Sequence, residues 1–400
     1  MRAMKDSGVE WIGEIPEAWE LSKIGSLYSL RSEKVSDKDY QPLSVTMKGI
    51  VPQLESAAKS DDSDNRKLVK IGDFAINSRS DRRGSCGISR YEGSVSLINT
   101  VITPRNNISS GYYDWLFHSV SFADEFYRWG HGIVDDLWTT RWQEMKRIYI
   151  PFPPLAEQTA IAEYLDDKCA KIDSIITANE RIIAKLKEYK ASLITETVTK
   201  GLNPDVKMKY IAVINPECKI PNISPDDNVS FVPMECVRNN KRFPKNAPVK
   251  QNNSSYSTFN NGDIALAKVT PCFQNGNICV MENLTNGFAF GSSELFNIRP
   301  THIYTKFLLY YLMTNKFISG GIANMTGVAG LQRVSINYLR NVRLPYPSLD
   351  KQTTIAAYLD DKCSKIDNNI SLRESLISKL TDYKKSLIYE VVTGKKEIES

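Results

Sequence analysis

One segment of the sequence occurs twice, and this duplication limits the possible folds more than any other feature. Residues 150–201 and 344–395, shifted by 194 positions, align without a gap and are identical at 29 of 52 positions. Convergence does not produce agreement of this length, so the two segments are copies of one unit. The copies divide the chain into four parts, residues 1–150, 151–204, 205–343 and 344–400.

Each copy predicts one long helix. A proline cluster opens it, at Pro151–Pro154 or Pro345–Pro347, and no Gly or Pro follows for more than forty residues. Proline suits the position just before a helix, and the absence of helix breakers favours a continuous one. Apolar residues recur at alternating three- and four-residue steps, as on helices that pack on helices. This predicted seam consists of Ile172, Ile176, Asn179, Ile183, Leu186 and Leu193 in the first copy and of Ile366, Ile370, Arg373, Ile377, Leu380 and Leu387 in the second.

Two packing partners are open to each helix: its own globular domain or the other long helix. The apolar stripe keeps its period for about 27 residues, roughly 40 Å of helix, which exceeds the core of a small domain. Pairing of the two helices buries both stripes, so we expect an antiparallel coiled coil with pseudo-two-fold symmetry. Asn179 and Arg373 occupy equivalent seam positions, where a polar side chain typically fixes register.

The two variable regions predict mixed α/β domains that are diverged copies of each other. Each has two β-rich runs followed by a helical stretch, at 73–77, 95–102 and 112–127 in the first region and at 263–267, 295–298 and 304–317 in the second. The expected fold class is therefore α+β, with two mixed α/β domains joined by two long helices that form an antiparallel coiled coil.

No pattern in the sequence predicts catalysis. The chain lacks a Gly-x-x-x-x-Gly-Lys-Ser/Thr phosphate loop, a Gly-x-Ser-x-Gly nucleophile elbow and the Asn/Asp-Pro-Pro-aromatic tetrapeptide of adenine methyltransferases. Its three His and seven Cys show no metal-ligand spacing. The pairs Asp166–Asp167 and Asp360–Asp361 lie on the predicted helices, where a solvated face or a subunit contact is the simpler interpretation. We expect no catalytic residue, no metal and no cofactor in this chain.

Three features favour a cytoplasmic protein. The odd number of cysteines is typical of free thiols in a reducing compartment. Residues 1–8 are polar and lack the apolar core of a signal peptide. No run of about 18 apolar residues predicts a membrane span.

The repeats carry a motif that resembles a known family. Pro-x-Leu-x-x-Gln-x-x-Ile-Ala-x-Tyr-Leu-Asp stands at Pro153–Asp166 and again at Pro347–Asp360, and Met4–Pro16 resembles the family's lead-in to a recognition domain. Ala267–Gly276 and Phe290–Glu294 are similar to segments of its second domain. The chain thus resembles, over nearly its whole length, the DNA-specificity subunit of type I restriction-modification enzymes. One departure is that the second domain lacks an Asp-Ser-Gly-x-Glu-Trp lead-in.

The resemblance implies a non-catalytic subunit with target-recognition domains at residues 1–150 and 205–343, each reading half of a split, asymmetric site in double-stranded DNA. Two methyltransferase subunits would bind the helical regions 151–204 and 344–400, carry S-adenosylmethionine and methylate adenine N6. Two restriction subunits, where present, would add ATP- and Mg-dependent translocation and cleavage. The helices would also act as a ruler for the spacer between half-sites. Neither the target bases nor the presence of restriction subunits follows from the sequence.

Candidate DNA contacts lie in basic and amide-rich turns. Guanidinium groups suit phosphate or guanine, and amides pair with adenine, although a solvated turn or a turn-forming Asn or Gln is the competing interpretation. In the first domain the candidates are Arg79, Arg82 and Arg83, and in the second they are Arg238, Lys241, Arg242, Lys268, Thr270, Gln274, Asn275 and Asn277. Of these, Arg238, Lys241 and Arg242 suit phosphate rather than base contacts.

The formal charge is distributed unevenly. Residues 205–343 contain 15 Lys and Arg against 8 Asp and Glu, a net of +7, whereas residues 1–150 contain 20 against 21. We therefore expect the second domain to hold DNA with the stronger, more salt-dependent electrostatic attraction.

Two other classes of protein are compatible with the same sequence. One is a homodimeric coiled-coil scaffold whose globular domains bind protein, which predicts no affinity for DNA. The other is a nuclease with an unrecognised site, which predicts cleavage of DNA by the chain alone without ATP.

Overall fold

The computed structural model describes residues 2–53, 64–105, 107–132, 138–202, 205–238, 241–242, 245–249, 255–328 and 330–398. They form two compact units. The first comprises Met1–Asn179 and Glu374–Ser400, and the second comprises Glu180–Arg373. Each unit contains one variable region and part of both long helices, because each region's core is completed by apolar residues from both copies of the repeat.

The first unit is built from short strands and helices followed by a long helix. Its described strands are β1 (Met4–Asp6), β2 (Glu14–Pro16), β3 (Glu20–Lys23), β4 (Tyr28–Leu30), β5 (Lys34–Val35), β6 (Leu43–Thr46), β7 (Gly49–Pro52), β8 (Arg66–Val69), β9 (Phe74–Asn77), β10 (Cys86–Ile88), β11 (Gly93–Val95), β12 (Asn99–Pro104) and β13 (Tyr149–Phe152). Its described helices are α1 (Ile24–Leu27), α2 (Ser110–His118), α3 (Val120–Arg128), α4 (Trp142–Met145) and the beginning of α5 (Leu155–Thr199).

An antiparallel sheet in the order β10-β9-β12-β4 is central to this unit. The apolar side chains of β9 pack on α2 and α3 through aromatic contacts such as that between Phe74 and Phe117, whose ring centroids are 4.6 Å apart. Asp73, just before β9, accepts from Arg31 Nε at 2.6 Å and from Thr103 Oγ1 at 2.7 Å. A buried carboxylate paired in this way ties the start of β9 to β12 and to the residue that follows β4.

The second unit has the corresponding order of elements. Its described strands are β14 (Asp205–Lys207), β15 (Ala212–Ile214), β16 (Asn228–Val232), β17 (Val237–Arg238), β18 (Lys241–Arg242), β19 (Lys245–Pro248), β20 (Ser257–Asn260), β21 (Ile264–Ala267), β22 (Ile278–Val280), β23 (Phe288–Gly291), β24 (Leu295–Pro300), β25 (Met325–Val328), β26 (Leu331–Val334) and β27 (Arg343–Pro345). Its described helices are α6 (Thr305–Leu312), α7 (Asn315–Ala323), α8 (Ile336–Asn341) and the beginning of α9 (Leu349–Val392).

The sheet β15-β24-β21-β22 repeats the central sheet of the first unit. The pair β21 and β24 has the same antiparallel register as β9 and β12, with Ala267 opposite Leu295 where the first unit places Asn77 opposite Asn99. Two helices follow in both units. The predicted relation between the variable regions is therefore visible in the strand pairing itself.

The helical stretch predicted over 112–127 is helical but divides into two helices, and the prediction of a single helix over 304–317 is wrong, because that stretch also forms two. Ser119 and Thr314 adopt extended backbone angles, and each hydroxyl accepts from a backbone N–H three residues on, at 3.2 Å. Such N-caps start a new helix within a sequence whose apolar period continues. The predicted strand over 95–102 is likewise interrupted, between β11 and β12.

The two long helices confirm the predicted antiparallel coiled coil. Within the first unit, Leu165 of α5 shares a core with Leu387 and Val391 of α9. Within the second, Ile194 and Val198 of α5 share a core with Leu359 of α9. Of the predicted seam, six residues are buried and six are half-buried; the buried ones are Ile172, Asn179, Ile183, Ile366, Ile370 and Leu387, and the half-buried ones are Ile176, Leu186, Leu193, Arg373, Ile377 and Leu380.

The repeated motif has a structural role in each unit. Gln158 accepts from the Ser109 N–H at 2.9 Å, next to the start of α2, and Gln352 accepts from the Tyr304 N–H at 2.8 Å, next to the start of α6. Each amide also donates to a carbonyl of its own proline cluster at 2.8 Å. The equivalent glutamines thus fix a domain helix to a long helix.

Candidate nucleic-acid interface

The basic turn of the first unit follows directly from β9. Ser80–Arg82 forms one 3-10 turn, and Arg79, Arg82 and Arg83 are exposed around it. Arg82 lies 3.6 Å from Asp81, and Arg83 is paired with Asp124. The structure thus brings the three predicted guanidinium groups together on one exposed turn, where phosphate contacts are sterically open.

A recess of about 510 Å³ lies beside this turn. Arg82 and Arg83 line it together with the buried side chains of Arg66, Asn77 and Asn99. The Arg66 guanidinium donates to Ser94 Oγ at 2.9 Å and to the Ser94 carbonyl at 3.1 Å. Burial lowers the pKa of Arg66.

Sequence reasoning did not find these three buried polar residues. A weak signal was present, since Asn77 closes one predicted β-rich run and Asn99 lies within the next. Only the strand register shows that the two amides lie opposite each other.

The predicted contacts of the second unit divide into internally bonded and exposed residues. Lys268 Nζ donates to the Ser293 carbonyl at 2.7 Å and lies 4.9 Å from the ring centroid of Phe296, and burial lowers its pKa. Thr270 exchanges hydrogen bonds with the Gln332 backbone at 3.0 and 3.1 Å. Asn277 is half-buried, and its carbonyl accepts from Ala267 N. In the segment from Lys268 to Asn277, the predicted residues that are exposed to solvent are Gln274 and Asn275.

The hairpin β25–β26 adds a cation that sequence reasoning did not single out. Arg333 donates to both carboxylate oxygens of Glu294, at 2.6 and 3.0 Å. The hydrogen bond from Arg333 lowers the pKa of Glu294. This exposed ion pair lies close to Lys268, whose backbone N–H donates to the Glu294 carbonyl at 2.8 Å.

The remaining basic candidates lie on the short hairpin β17–β18. Arg238 is exposed. Lys241 and Arg242 belong to β18, but their side chains lie outside the described residues.

Exposed apolar side chains also lie along the long helices, next to the seam. They recur at seven-residue steps and are Ile175, Ile182 and Tyr189 on α5 and Leu376 and Tyr383 on α9. Ile182 and Leu376 are equivalent in the repeat, as are Tyr189 and Tyr383. Each copy of the repeat therefore presents a similar apolar row to solvent.

The part of the chain that the structure describes contains neither a metal-binding cluster nor a membrane-spanning helix. No group of three or more His, Cys, Asp or Glu residues there is arranged to hold a metal ion. None of the helices in that part is long and apolar enough to cross a membrane.

The duplicated α/β domains, the repeated long helices and the exposed basic turns define a class of DNA-binding proteins with two recognition domains. A family model described as the type I restriction modification DNA specificity domain matches residues 16–188 and 214–381. The chain belongs to this family, as the sequence motifs predicted.

Curated relatives are specificity subunits of the same enzymes. Over 196 residues the chain is 30% identical to the type I restriction enzyme EcoEI specificity subunit of Escherichia coli, an alignment covering 44% of this chain and 32% of that protein. The chain thus spans about a third of that relative's length. The putative type I restriction enzyme MjaX specificity subunit of Methanocaldococcus jannaschii is 22% identical across 96% of this chain and 95% of its own length.

Solved structures share the fold. One, described as the structural basis underlying complex assembly and conformational transition of the type I R-M system, matches with a TM-score of 0.74 at 14% identity and covers 96% of this chain and 99% of that one. The HsdS subunit from Thermoanaerobacter tengcongensis matches with a TM-score of 0.55 at 15% identity, over 96% of this chain and 98% of that one.

Proposed function

We propose that this chain is the non-catalytic subunit that gives a type I restriction-modification complex its DNA sequence specificity. Its two target-recognition domains, residues 1–150 and 205–343, each read one half of a split, asymmetric site in double-stranded DNA. The observation that supports this most is the duplication of one α/β domain with different exposed residues. Two diverged readers on one chain match an asymmetric target, whereas identical readers would match a palindrome.

The charges of the two domains support different binding modes. The first domain has a net charge of −1, from 20 Lys and Arg against 21 Asp and Glu, and groups three of its cations in one turn at Arg79, Arg82 and Arg83. The second domain has a net charge of +7, so it contributes the larger share of sequence-independent phosphate attraction. The exposed amides Gln274 and Asn275 are then available for base contacts.

The exposed apolar rows on the long helices are the docking sites for partner subunits. An amphipathic helix offers an apolar row at seven-residue steps to a partner helix. Because the repeat places Ile182 and Tyr189 in one row and the equivalent Leu376 and Tyr383 in the other, the two rows fit two copies of one partner. These partners are methyltransferase subunits, which carry S-adenosylmethionine. Restriction subunits, where present, carry ATP and Mg.

A reducing compartment is consistent with the thiols. None of the seven cysteines, all within the described residues, forms a disulfide, and six of them are buried. We place the complex in the cytoplasm, together with the DNA on which it acts.

The test is isolation of the tagged chain from its native host, followed by mapping of N6-methyladenine in genomes with and without its gene. We expect about two methyltransferase subunits for each chain and one split methylated motif that disappears with the gene. A chain that is isolated without a methyltransferase and ignores DNA would support the protein-binding scaffold instead. Cleavage of DNA by the purified chain without ATP would support the nuclease.

A further inference from the structure

We propose that the recess beside the basic turn reads one amino-bearing base, adenine, in the half-site of the first domain, and that Asn77 and Asn99 are the reading residues. This inference rests on the proposed function, because it assigns a role in base discrimination to a site within the first recognition domain.

The first observation is an incomplete set of hydrogen bonds at the floor of the recess. Asn99 is only 4% exposed. Its Nδ2 donates to the Ser96 carbonyl at 3.1 Å, but its Oδ1 has no hydrogen-bond partner among the described residues. A buried amide oxygen without a donor destabilises the fold. A ligand that brings an N–H group into the recess would remove this cost.

The second observation is that the fold does not need amides at this place. The second unit has the same strand pair in the same register, and there Ala267 lies opposite Leu295, both completely buried. An apolar pair therefore satisfies the architecture at these two positions of the strand pair. Only the first domain has a pair of amides at these two positions. A residue pair that distinguishes one half-site from the other has to differ between the two domains in this way.

The third observation is the charge around the amides. Arg66 is 5% exposed, and no carboxylate of the described residues lies within 4.0 Å of its guanidinium. Asp37 acts on this buried cation through space but forms no ion pair with it, so an anionic ligand that reaches the guanidinium stabilises it. Arg82 and Arg83 also line the recess, together with Asp81, which lies 3.6 Å from Arg82. A nucleotide brings both a phosphate for these cations and a base for the amides.

The hydrogen-bonding groups select the base. Asn99 Oδ1 needs a donor, and in the major groove only adenine N6 and cytosine N4 supply one. The carboxamide N–H2 groups donate, and adenine N7 accepts beside its amino group. Adenine therefore pairs with both polar groups of a carboxamide: its N6 donates to the oxygen, and its N7 accepts from the N–H2 group. The cavity volume of about 510 Å³ lies within the roughly 300–1,000 Å³ of small-molecule sites, so a base has room to enter.

The test replaces the gene in the native host with a variant that carries the apolar pair of the second unit, Asn77→Ala with Asn99→Leu, and maps the methylated motif. We expect discrimination at one adenine position of one half-site to fall about tenfold or more, with an unchanged or higher melting temperature of the purified complex. Complete loss of methylation at an unchanged melting temperature also supports the inference. An unchanged motif overturns it.

The matched control is Ser78→Ala with Thr100→Val. These hydroxyls lie 2.9 Å apart, one on the residue that directly follows β9 and the other on β12, but they do not line the recess. The control should keep the motif; a motif that relaxes equally in the control would overturn the inference, because any damage to the strands would then suffice.

A second variant covers the case in which the double substitution does not fold. Asn99→Asp preserves the size of the side chain and its acceptor oxygen but removes the N–H2 group that pairs with adenine N7. We expect the preferred base to change from adenine to cytosine, whose amino group donates to carboxylates. An unchanged base overturns the inference. Absence of any split motif in the unaltered host overturns the proposed function itself, which is a separate result.

Discussion

Lys384 of α9 donates to both carboxylate oxygens of Asp173 of α5, at 2.7 Å each, within the first unit. The second unit contains the equivalent pair with the helices exchanged: Lys190 of α5 donates to Asp367 of α9 at 2.7 and 2.8 Å. The repeat shift of 194 residues converts one pair into the other, since it relates Asp173 to Asp367 and Lys190 to Lys384. The duplicated sequence has therefore produced equivalent contacts between α5 and α9 in each unit.

These ion pairs predict similar stability losses in the two units. Lys384→Met and Lys190→Met should each lower the free energy of unfolding by about 0.5–1 kcal/mol, a modest value because the carboxylates are partly exposed and salt screens them. Urea denaturation at low and high salt measures this. The control is Lys171→Met, which removes a pair within one helix. Losses that do not decrease with salt would contradict an electrostatic origin.

The equivalent glutamines predict a larger effect. Gln158→Ala and Gln352→Ala each leave a backbone N–H without its acceptor beside a helix start and remove a nearly fully buried amide. We expect each substitution to lower the free energy of unfolding by about 1–3 kcal/mol. Thermal unfolding with one probe in each unit should show the loss in the unit that contains the substitution. Thr159→Ala, on the exposed side of α5, is the control.

Glu294 predicts an acid-dependent loss of stability in the second unit. Its pKa is lowered from the usual 4.5 by Arg333. A carboxyl with a lowered folded-state pKa stabilises the fold above its unfolded pKa, and this contribution disappears as pH falls through the folded value. The difference in unfolding free energy between the unaltered chain and Glu294→Gln should thus be constant near neutral pH and shrink below about pH 4.5. A difference that grows with acid would contradict this assignment.

The basic turn predicts a change in the salt dependence of DNA binding. Replacing Arg79, Arg82 and Arg83 by Ala should reduce the slope of log K against log salt by about 0.9 for each lost phosphate contact. Fluorescence anisotropy with duplex DNA over a salt series gives the slope. The control variant lacks three exposed lysines of α5 and should retain the slope of the unaltered chain; these are Lys168, Lys171 and Lys185. Equal slopes for the unaltered chain, the arginine variant and the lysine variant would exclude the basic turn from the DNA interface.

The ruler role of the helices predicts a change in spacer length. One heptad inserted into each repeat lengthens each helix by about 10 Å, which corresponds to about three base pairs at 3.4 Å per pair. Mapping of methylated sites should show the half-sites separated by the longer spacer with unchanged half-site sequences. An unchanged spacer with full methylation would contradict the ruler.

The sequence by itself determined the duplication, the two long helices, their seam and the family. The helices, their seam and the family motif are encoded by residue period and spacing within one segment, and that segment occurs twice in the sequence. The short helices were predicted less well, because a single capping hydroxyl at Ser119 or Thr314 outweighs a continuing apolar period.

Only the tertiary structure decided which residues meet. Asn77 and Asn99 lie 22 positions apart, and they become one polar floor through the register of β9 and β12. The basic turn was visible in the sequence, whereas the recess beside it was not. Each unit takes part of both helices for the same reason: Leu165 and Leu387 lie far apart along the chain and bury their surfaces together only when the helices run antiparallel. Local periodicity fixes an element and its apolar face, but strand register and helix pairing depend on contacts that no local pattern encodes.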